Sequence, residues 1–261
     1  MCAQALDGKV IVVVGGTSGL GRSAVEACLE AGARVVAVGR NPEKVEAVGC
    51  LGAEVFARVG DAADPGCVEA AIDEAESRYG GFDGLYHVAG GSGRSAGDGP
   101  LHELTDEGVD YTLRLNLSSV IYSNRAAARR LLGSNRRGSV LNMSSVLAFA
   151  PAGEHFATHT YAAAKAGIIG LTRSAASKYA ANDIRFNAIA PALVETPMSE
   201  RAQESPGILE YTRRRQPLDG GRIGQARDVD GAVVYFLSDQ SAFVTGQVVS
   251  IDGGWEVSDG Q

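Results

Sequence analysis

The sequence predicts an α/β protein with a doubly wound parallel sheet. Apolar, β-branched runs such as KVIVVV at 9–14 are typical of parallel strands that are covered on both faces. Such runs alternate along the chain with segments of helical periodicity, which favours strands joined by crossover helices. A glycine-rich turn, GGTSGLG at 15–21, follows the first run directly. Ligands of such sheets bind beyond the carboxyl ends of the strands, so this turn is a candidate binding site.

The predicted strands and helices follow one another in regular order. After the turn, a helix at 22–31 ends before Gly32, and the run RVVAV at 34–38 predicts the second strand. The remaining predicted strands lie at 54–59, 84–89, 139–143, 184–189 and 247–251, and the remaining helices at 64–79, within 101–132 from about Asp106, at 158–180 and at 227–237. The polar, weakly periodic stretch at about 195–222 predicts a mobile cap over the substrate. No linker or change of composition divides the chain, so we expect residues 1–261 to form one domain.

Charge, hydropathy and cysteine spacing argue against several classes of partner. The net charge of −7 and the pI of about 5.2 disfavour nucleic acid, because phosphate binding needs a concentrated positive field. No secretion leader and no apolar run of membrane-spanning length is present, so we expect a cytoplasmic protein without a membrane partner. Neither a zinc site nor a disulfide framework is indicated by the spacing of the four cysteines, Cys2, Cys28, Cys50 and Cys67.

The glycine-rich turn has the chemistry of a dinucleotide site. Gly15, Gly19 and Gly21 let the chain turn sharply and let a pyrophosphate approach the backbone. The helix that follows would direct its free amides and its positive dipole end at the anion. A P-loop would need a lysine before its serine or threonine, and this turn has none, so hydrolysis of a nucleoside triphosphate is not expected.

Tyr161 and Lys165 lie four residues apart in a predicted helix, so their side chains share one helical face. A free tyrosine has a pKa of about 10, and bringing it near pH 7 needs roughly 4 kcal/mol. A cation at about 4 Å in a medium of effective dielectric about 20 supplies about that much, so we predict that Lys165 lowers the pKa of Tyr161. The pair indicates general acid–base chemistry, although Tyr and Lys also share helix faces by chance.

Taken together, these residues closely resemble the pattern of the short-chain dehydrogenase/reductase family, over nearly the whole chain. The matching residues are Gly15, Gly19 and Gly21 of the turn, Asp61, Ala89-Gly90, Asn116, Ser145, Tyr161, Lys165, Asn187, Pro191, Thr196 and the terminal Ile251-Asp252-Gly253-Gly254. The resemblance implies a Rossmann fold with seven strands in the order 3-2-1-4-5-6-7. It also implies an enzyme that transfers a hydride between a nicotinamide and an alcohol or ketone carbon.

The resemblance further implies four catalytic residues. Tyr161 would exchange a proton with the substrate oxygen, and Lys165 would lower the pKa of Tyr161 and hydrogen-bond the nicotinamide ribose. Ser145 would fix the substrate oxygen, although Ser144 is chemically equivalent in the sequence. Asn116 would hold a water that leads to Lys165, and its alternative is a packing or helix-distorting role.

The cofactor is implied to bind along the carboxyl ends of the strands. Asp61 would contact the adenine or be a turn aspartate, and Thr196 would contact the carboxamide or phosphate end of the cofactor or be a turn residue before Pro197. The full set of implied cofactor residues is Gly15, Thr17, Ser18, Gly19, Leu20, Gly21, Arg40, Asp61, Ala62, Ala89, Gly90, Tyr161, Lys165, Pro191, Val194 and Thr196.

The end of the second strand favours NADP(H) as cofactor. An acid at this position accepts hydrogen bonds from the adenosine ribose and repels a 2′-phosphate, but here the position holds Gly39, followed by Arg40. Arginine pairs with phosphate in a bidentate way. The alternative is NAD(H), with Arg40 stacked on the adenine. The chain also departs from the family pattern at His87-Val88, where Asn-Asn is common, at Val14 and at Ala192.

The interval between Ser145 and Tyr161 is longer than is common in the family, and the additional residues include His155 and His159. Their spacing could bind a metal, but no third ligand is evident, so we predict no metal and a role at the surface or the pocket rim. A partly apolar substrate pocket is predicted from Leu147, His155, Phe156, Leu193 and Met198. The run Arg213-Arg214-Arg215 could attract an anionic substrate, although a solvated charged face is the preferred interpretation.

The sequence therefore predicts an NADP(H)-dependent oxidoreductase acting on a small alcohol or ketone. NAD(H) dependence and a non-catalytic dinucleotide-binding sensor are the alternatives. The resemblance also implies a homo-oligomer, and the apolar last strand supports it because it would otherwise leave an exposed sheet edge. A tetramer is expected before a dimer.

Overall fold

The computed structural model describes residues 4–260, so Cys2 and the outermost ends of the predicted domain lie outside the described residues. Its centre is a parallel sheet of seven strands in the order β3-β2-β1-β4-β5-β6-β7, which confirms the predicted fold class and strand order. The strands are β1 Val10–Val14, β2 Arg34–Gly39, β3 Val55–Val59, β4 Gly84–His87, β5 Gly138–Met143, β6 Ile184–Pro191 and β7 Val248–Ile251.

Helices cover both faces of this sheet. They are α1 Gly19–Glu30, α2 Pro42–Gly49, α3 Cys67–Tyr79, α4 Asp106–Leu113, α5 Ser119–Gly133, α6 His159–Tyr179, α7 Glu200–Gln203, α8 Pro206–Arg215 and α9 Arg227–Leu237. Short 3₁₀ turns lie at Arg94–Ala96, Leu101–Glu103, Val146–Ala148, Ala180–Asn182, Pro197–Ser199, Leu218–Gly221 and Asp239–Ser241. No helix within residues 4–260 combines the length and apolarity that a membrane span requires.

The central strand β1 shows why the sheet is covered on both sides. All five of its residues are buried. Because successive side chains of a strand point to opposite faces, Val12 and Val14 pack into one core layer with α3 and α5. Ile11 and Val13 pack into the other layer with α1 and α9. The continuous apolar run is therefore the sequence signature of two cores separated by one sheet.

Three regions differ from the sequence prediction in detail. The sequence patterns do not predict helix α2, because this helix is short and weakly periodic. A local signal is nevertheless present, since Asn41 before Pro42 is a typical helix start. In the structure the Asn41 side chain accepts a hydrogen bond from the Lys44 amide. The long predicted helix from Asp106 is present, but a π-helical segment at Arg114–Ser118 interrupts it. The predicted cap contains the ordered helices α7 and α8, and its mobility stays a prediction.

Candidate active site

Two adjoining clefts open at the carboxyl ends of the strands. The first contains twelve of the predicted cofactor residues among its lining residues, which are Val14, Gly15, Thr17, Ser18, Gly19, Leu20, Gly21, Val38, Gly39, Arg40, Gly60, Asp61, Ala62, Val88, Ala89, Gly90, Leu115, Thr196, Pro197 and Met198. The other four predicted cofactor residues, Tyr161, Lys165, Pro191 and Val194, do not line this cleft, so their contact with a cofactor stays a prediction.

The backbone of the glycine-rich turn packs so closely that Gly15 and Gly21 have no room for side chains. A Cβ on Gly21 would lie 2.0 Å from the Gly15 carbonyl oxygen, and a Cβ on Gly15, where φ is +91°, would lie 2.6 Å from the Ala89 amide nitrogen. Helix α1 begins here without a side-chain cap on Ser18 and without an acidic residue in its first turn. Its first amides are thus directed at the cleft, which fits the pyrophosphate of a dinucleotide.

The end of β2 leaves no room for an acidic side chain without rearrangement. A Cβ on Gly39 would lie 2.0 Å from Thr17 Oγ1 and 2.8 Å from Thr17 Cβ. Arg40 lines the same part of the cleft and is exposed. Asp61 also lines it, and its carboxylate accepts from the Ala63 amide at 2.9 Å, so it is both a turn residue and a cleft residue.

Tyr161 and Lys165 lie on one face of α6, as their spacing predicts. The Lys165 ammonium is buried, donates to the Met143 carbonyl at 2.9 Å and lies 5.5 Å from the centre of the Tyr161 ring. The two serines after β5 have different roles. Ser144 donates to the Lys165 carbonyl, whereas Ser145 lines the second cleft beside Tyr161.

The predicted lowering of the Tyr161 pKa is wrong for this structure. Burial raises the pKa of Tyr161 to about 12, and polar interaction with the Ser145 hydroxyl offsets part of that shift. Burial also lowers the pKa of Lys165 to about 8, so its charge is itself destabilised. The prediction failed because it counted the attraction between the two groups and omitted the cost of removing both from water.

Asn116 and Lys165 converge on the backbone after β4. A Cβ on Gly90 would lie 2.8 Å from Asn116 Oδ1 and 3.5 Å from Lys165 Nζ. The Asn116 amide accepts from the Gly91 N–H and donates to the Gly91 and Thr112 carbonyls, each at 3.0 Å. Asn116 lies in the π-helical segment, which fits a helix-distorting role, and it also lies close to Lys165, which fits the role of holding a water next to that lysine.

Sequence reasoning assigned no role to His87, which is buried at the end of β4. Its Nδ1 is hydrogen-bonded to Ser123 Oγ at 2.7 Å, and its Nε2 lies 3.4 Å from Ser119 Oγ. Burial, followed by the charge of Lys165, lowers the pKa of His87 to about 3. The imidazole is therefore neutral at physiological pH and links β4 to α5.

The second cleft is a cavity of about 340 Å³ that holds Ser145 and Tyr161 in its wall. Of the predicted substrate residues, Leu147, Phe156, Leu193 and Met198 line it, and Met198 also lines the first cleft. The remaining lining residues are Ser92, Arg94, Ser95, Val146, Thr158, Ala192, Ser199, Arg201, Ala202 and Trp255. The clefts thus meet at Met198, and Tyr161 lies in the wall of the second cleft.

The histidines of the interval before Tyr161 do not line the cavity. His155 packs edge-on against Tyr211 and contributes its backbone carbonyl as an acceptor, whereas His159 is exposed at the start of α6. No cluster of potential metal ligands is present among residues 4–260. His155 therefore lies at the rim of the cavity, and His159 lies at the surface.

The lining residues that sequence reasoning missed include two arginines and a tryptophan. Arg94 follows β4 in a glycine-rich loop, Arg201 lies in the predicted cap and Trp255 follows β7. Trp255 is buried against Phe156 and Tyr211, and its indole N–H donates to the Ala150 carbonyl. No local pattern links these residues, because only the fold brings their segments together.

The strand order and the cleft at the glycine-rich turn define a Rossmann-type fold with a candidate dinucleotide site. A family model described as enoyl-(acyl carrier protein) reductase matches residues 14–256. The 3-oxoacyl-[acyl-carrier-protein] reductase FabG of Thermotoga maritima is 34% identical over 254 residues, which cover 95% of this chain and 98% of that protein. The D-threitol dehydrogenase of Mycolicibacterium smegmatis is 32% identical over 256 residues, which cover 97% of this chain and 94% of that protein.

Solved structures give the same result. A short-chain type dehydrogenase/reductase from Mycobacterium ulcerans superposes with a TM-score of 0.88 at 30% identity, over 97% of this chain and 92% of that one. The chain belongs to the short-chain dehydrogenase/reductase family. It is an NAD(P)-dependent enzyme that acts on CH–OH or C=O groups.

Proposed function

We propose that this enzyme uses NADP(H) to interconvert a small ketone and its alcohol, with Tyr161 as the general acid and base. The observation that carries the proposal is the position of Tyr161 and Ser145 in the wall of the cavity, which adjoins the cleft of the glycine-rich turn at Met198. Lys165 Nζ and Asn116 Oδ1 both approach Gly90, on the side where a Cβ would lie.

The chain's own residues then act on the substrate oxygen. When bound, the nicotinamide supplies or accepts the hydride. In reduction, the Tyr161 phenol donates its proton to the carbonyl oxygen, and the Ser145 hydroxyl donates a hydrogen bond to the same oxygen. A pKa of about 12 for Tyr161 keeps the phenol protonated at neutral pH, which is the form that reduction requires.

The preference for NADP(H) rests on the end of β2. Gly39 provides no carboxylate to repel a 2′-phosphate, and Thr17 occupies the space where such a side chain would begin. The Arg40 guanidinium lies at the same place in the cleft and can pair with a phosphate. NAD(H) is the second candidate, because an exposed arginine can also stack on an adenine.

Assembly and location belong to the same proposal. We expect a homotetramer, with a dimer as the alternative, and a cytoplasmic location. A homo-oligomer is supported by the partly exposed last strand β7, which lies at an edge of the sheet.

The test is an absorbance assay of both reduced cofactors against a panel of ketones, with the wild type and Tyr161→Phe. We expect kcat/KM to be higher with NADPH than with NADH. The variant should lose turnover by about 1,000-fold or more while its affinity for NADPH, measured by fluorescence, stays close to the wild-type value. An active Tyr161→Phe enzyme would refute the mechanism, and a higher kcat/KM with NADH would refute the cofactor preference. Cofactor binding without turnover of any ketone would favour the sensor.

A further inference from the structure

Two arginines from separate segments meet at the rim of the substrate cavity. Arg94 lies in the short turn after β4, and Arg201 lies in α7. Both line the cavity, and both donate from Nη2 to the same oxygen, the carbonyl of His155, at 3.4 and 3.2 Å. Because one atom accepts both bonds, the two guanidinium groups lie side by side.

These two charges are not balanced by a carboxylate in contact with them. Within residues 4–260, no salt bridge joins either arginine to an acidic side chain. Burial, and next the charge of Arg201, lowers the pKa of Arg94, whereas Asp98 raises it. The Asp98 carboxylate accepts hydrogen bonds from the amides of Thr160 and Tyr161, so it is not paired with either arginine.

Most donors of both guanidiniums therefore remain open. A guanidinium carries several N–H groups in a planar fork, yet each of these two makes one side-chain bond to a protein acceptor in the described chain. Two adjacent cations with free donors repel each other, and an anion bound between them would relieve that repulsion.

The remaining wall of the cavity selects the rest of the ligand. Much of it is apolar and comes from Val146, Leu147, Phe156, Leu193 and Trp255. The reactive end is marked by Tyr161 and Ser145. A ligand that fits this wall has a carbonyl or hydroxyl group, a small apolar body and an anionic group.

We propose, on the basis of the function proposed above, that the substrate is an anionic ketone or alcohol whose carboxylate or phosphate ester is bound by Arg94 and Arg201. Arginine is suited to both groups because its fork matches two of their oxygens. A carboxylate and a phosphate ester would bind the arginines in the same way, and the experiment distinguishes between these two kinds of substrate.

The phosphates of the cofactor do not explain this pair of arginines. The glycine-rich turn and Arg40 lie in the other cleft, and neither Arg94 nor Arg201 lines that cleft. The run Arg213-Arg214-Arg215 does not line the cavity either. Arg215 lies over the Trp255 ring and donates to the Ser258 carbonyl.

The test compares neutral and anionic probes that differ in one group. Pyruvate, acetoacetate and levulinate are each paired with their methyl ester, and hydroxyacetone phosphate is paired with hydroxyacetone. Binding to the enzyme loaded with NADP⁺ is measured by calorimetry, and turnover is measured by absorbance. We expect at least one anion to bind about 10-fold or more tightly than its neutral partner, and to have a correspondingly higher kcat/KM.

The double variant Arg94→Gln and Arg201→Gln should remove this preference, mainly through the KM of the anionic probes. Arg129→Gln with Arg173→Gln is the matched control, because it removes the same charge from exposed positions outside the cavity. Equal binding of every anion and its neutral partner would overturn the proposal, and so would a preference that survives in the double variant. Tighter binding of the carboxylate probes or of hydroxyacetone phosphate shows which anionic group the substrate carries.

Failure of the proposed function gives a different result. An inert Tyr–Lys pair would abolish turnover of all probes, neutral and anionic alike, while the arginine-dependent difference in binding would persist. A wrong substrate class would instead leave turnover of neutral ketones intact and remove the difference in binding.

Discussion

The buried histidine at the end of β4 makes stability depend on pH. His87 has a pKa of about 3 in the folded protein, because burial and the charge of Lys165 disfavour its protonated form. A histidine in the unfolded chain has a pKa of about 6.5. Between these two values the unfolded chain binds a proton that the folded chain does not bind. The contribution of His87 to stability is therefore complete above about pH 6.5 and decreases as the pH falls towards 3.

Replacing His87 with asparagine should remove this sensitivity. We expect the urea midpoint of the wild type to fall more between about pH 7.5 and about pH 5 than that of His87→Asn, because the amide does not titrate. His102→Asn is the control, since the His102 side chain is 81% exposed. Its variant should lose stability between the two pH values as the wild type does. Equal losses in His87→Asn and the wild type would contradict the prediction.

The sequence predicts residue identities in this site better than it predicts their protonation. Helical spacing places Tyr161 and Lys165 on one face, and the structure confirms that face. The pKa of Tyr161 depends on the burial of the phenol, which raises it, and on the Ser145 hydroxyl, which lowers it, and both follow from the tertiary fold. Likewise, Ser144 and Ser145 become distinguishable only when the carbonyl of Lys165 is placed beside one of them.

At the scale of elements, helix α6 is capped by a residue from another segment. Thr158 precedes the helix, but its side chain makes no capping bond. Instead, buried Asp98 from the loop after β4 accepts from the amides of Thr160 at 3.1 Å and Tyr161 at 2.9 Å. An acid at a helix N-terminus satisfies free amides and interacts favourably with the helix dipole. Asp98 therefore fixes the backbone that carries the Tyr161 side chain.

Asp98→Ala should affect both stability and catalysis. We expect the free energy of unfolding to fall by about 1–2 kcal/mol, because two buried amides lose their acceptor. We also expect kcat to fall while the KM for NADPH is unchanged, and Asp98→Asn, which keeps one acceptor oxygen, to restore part of kcat. Asp106→Asn in the first turn of α4 is the control for a surface acid at a helix start. A wild-type kcat in Asp98→Ala would contradict the positioning role.

The cap on α6 shows that local sequence patterns do not predict contacts between segments that are distant in the sequence. The strands and most helices are predictable because β-branched runs and helical periodicity reflect burial directly. Even the missed helix α2 carries a local start signal in Asn41 and Pro42. Nothing near Thr158 predicts a cap from Asp98, because the contact spans about sixty residues of sequence. Arg94 and Arg201 are even farther apart in the sequence, so no local pattern predicts that they meet.

At the scale of the whole molecule, the sheet has two free edges that differ. One edge is β3 and the other is β7. Near β7, Phe243 is fully exposed and Val249 is 40% exposed. A free edge next to exposed apolar side chains is a favourable surface for pairing with another copy of the chain. Closed symmetry then favours pairing of the same surface in both copies.

We therefore predict a homotetramer that pairs through the β7 edge. Light scattering after gel filtration should give about four times the mass of one chain, and Phe243→Ser with Val249→Lys should reduce the assembly to a dimer, because a lysine disfavours edge-to-edge contact. Val59→Lys is the control, since Val59 is an exposed valine on the opposite edge strand, β3, and its replacement should leave the tetramer intact. A monomeric wild type would contradict the prediction, and so would dissociation caused by the β3 variant alone.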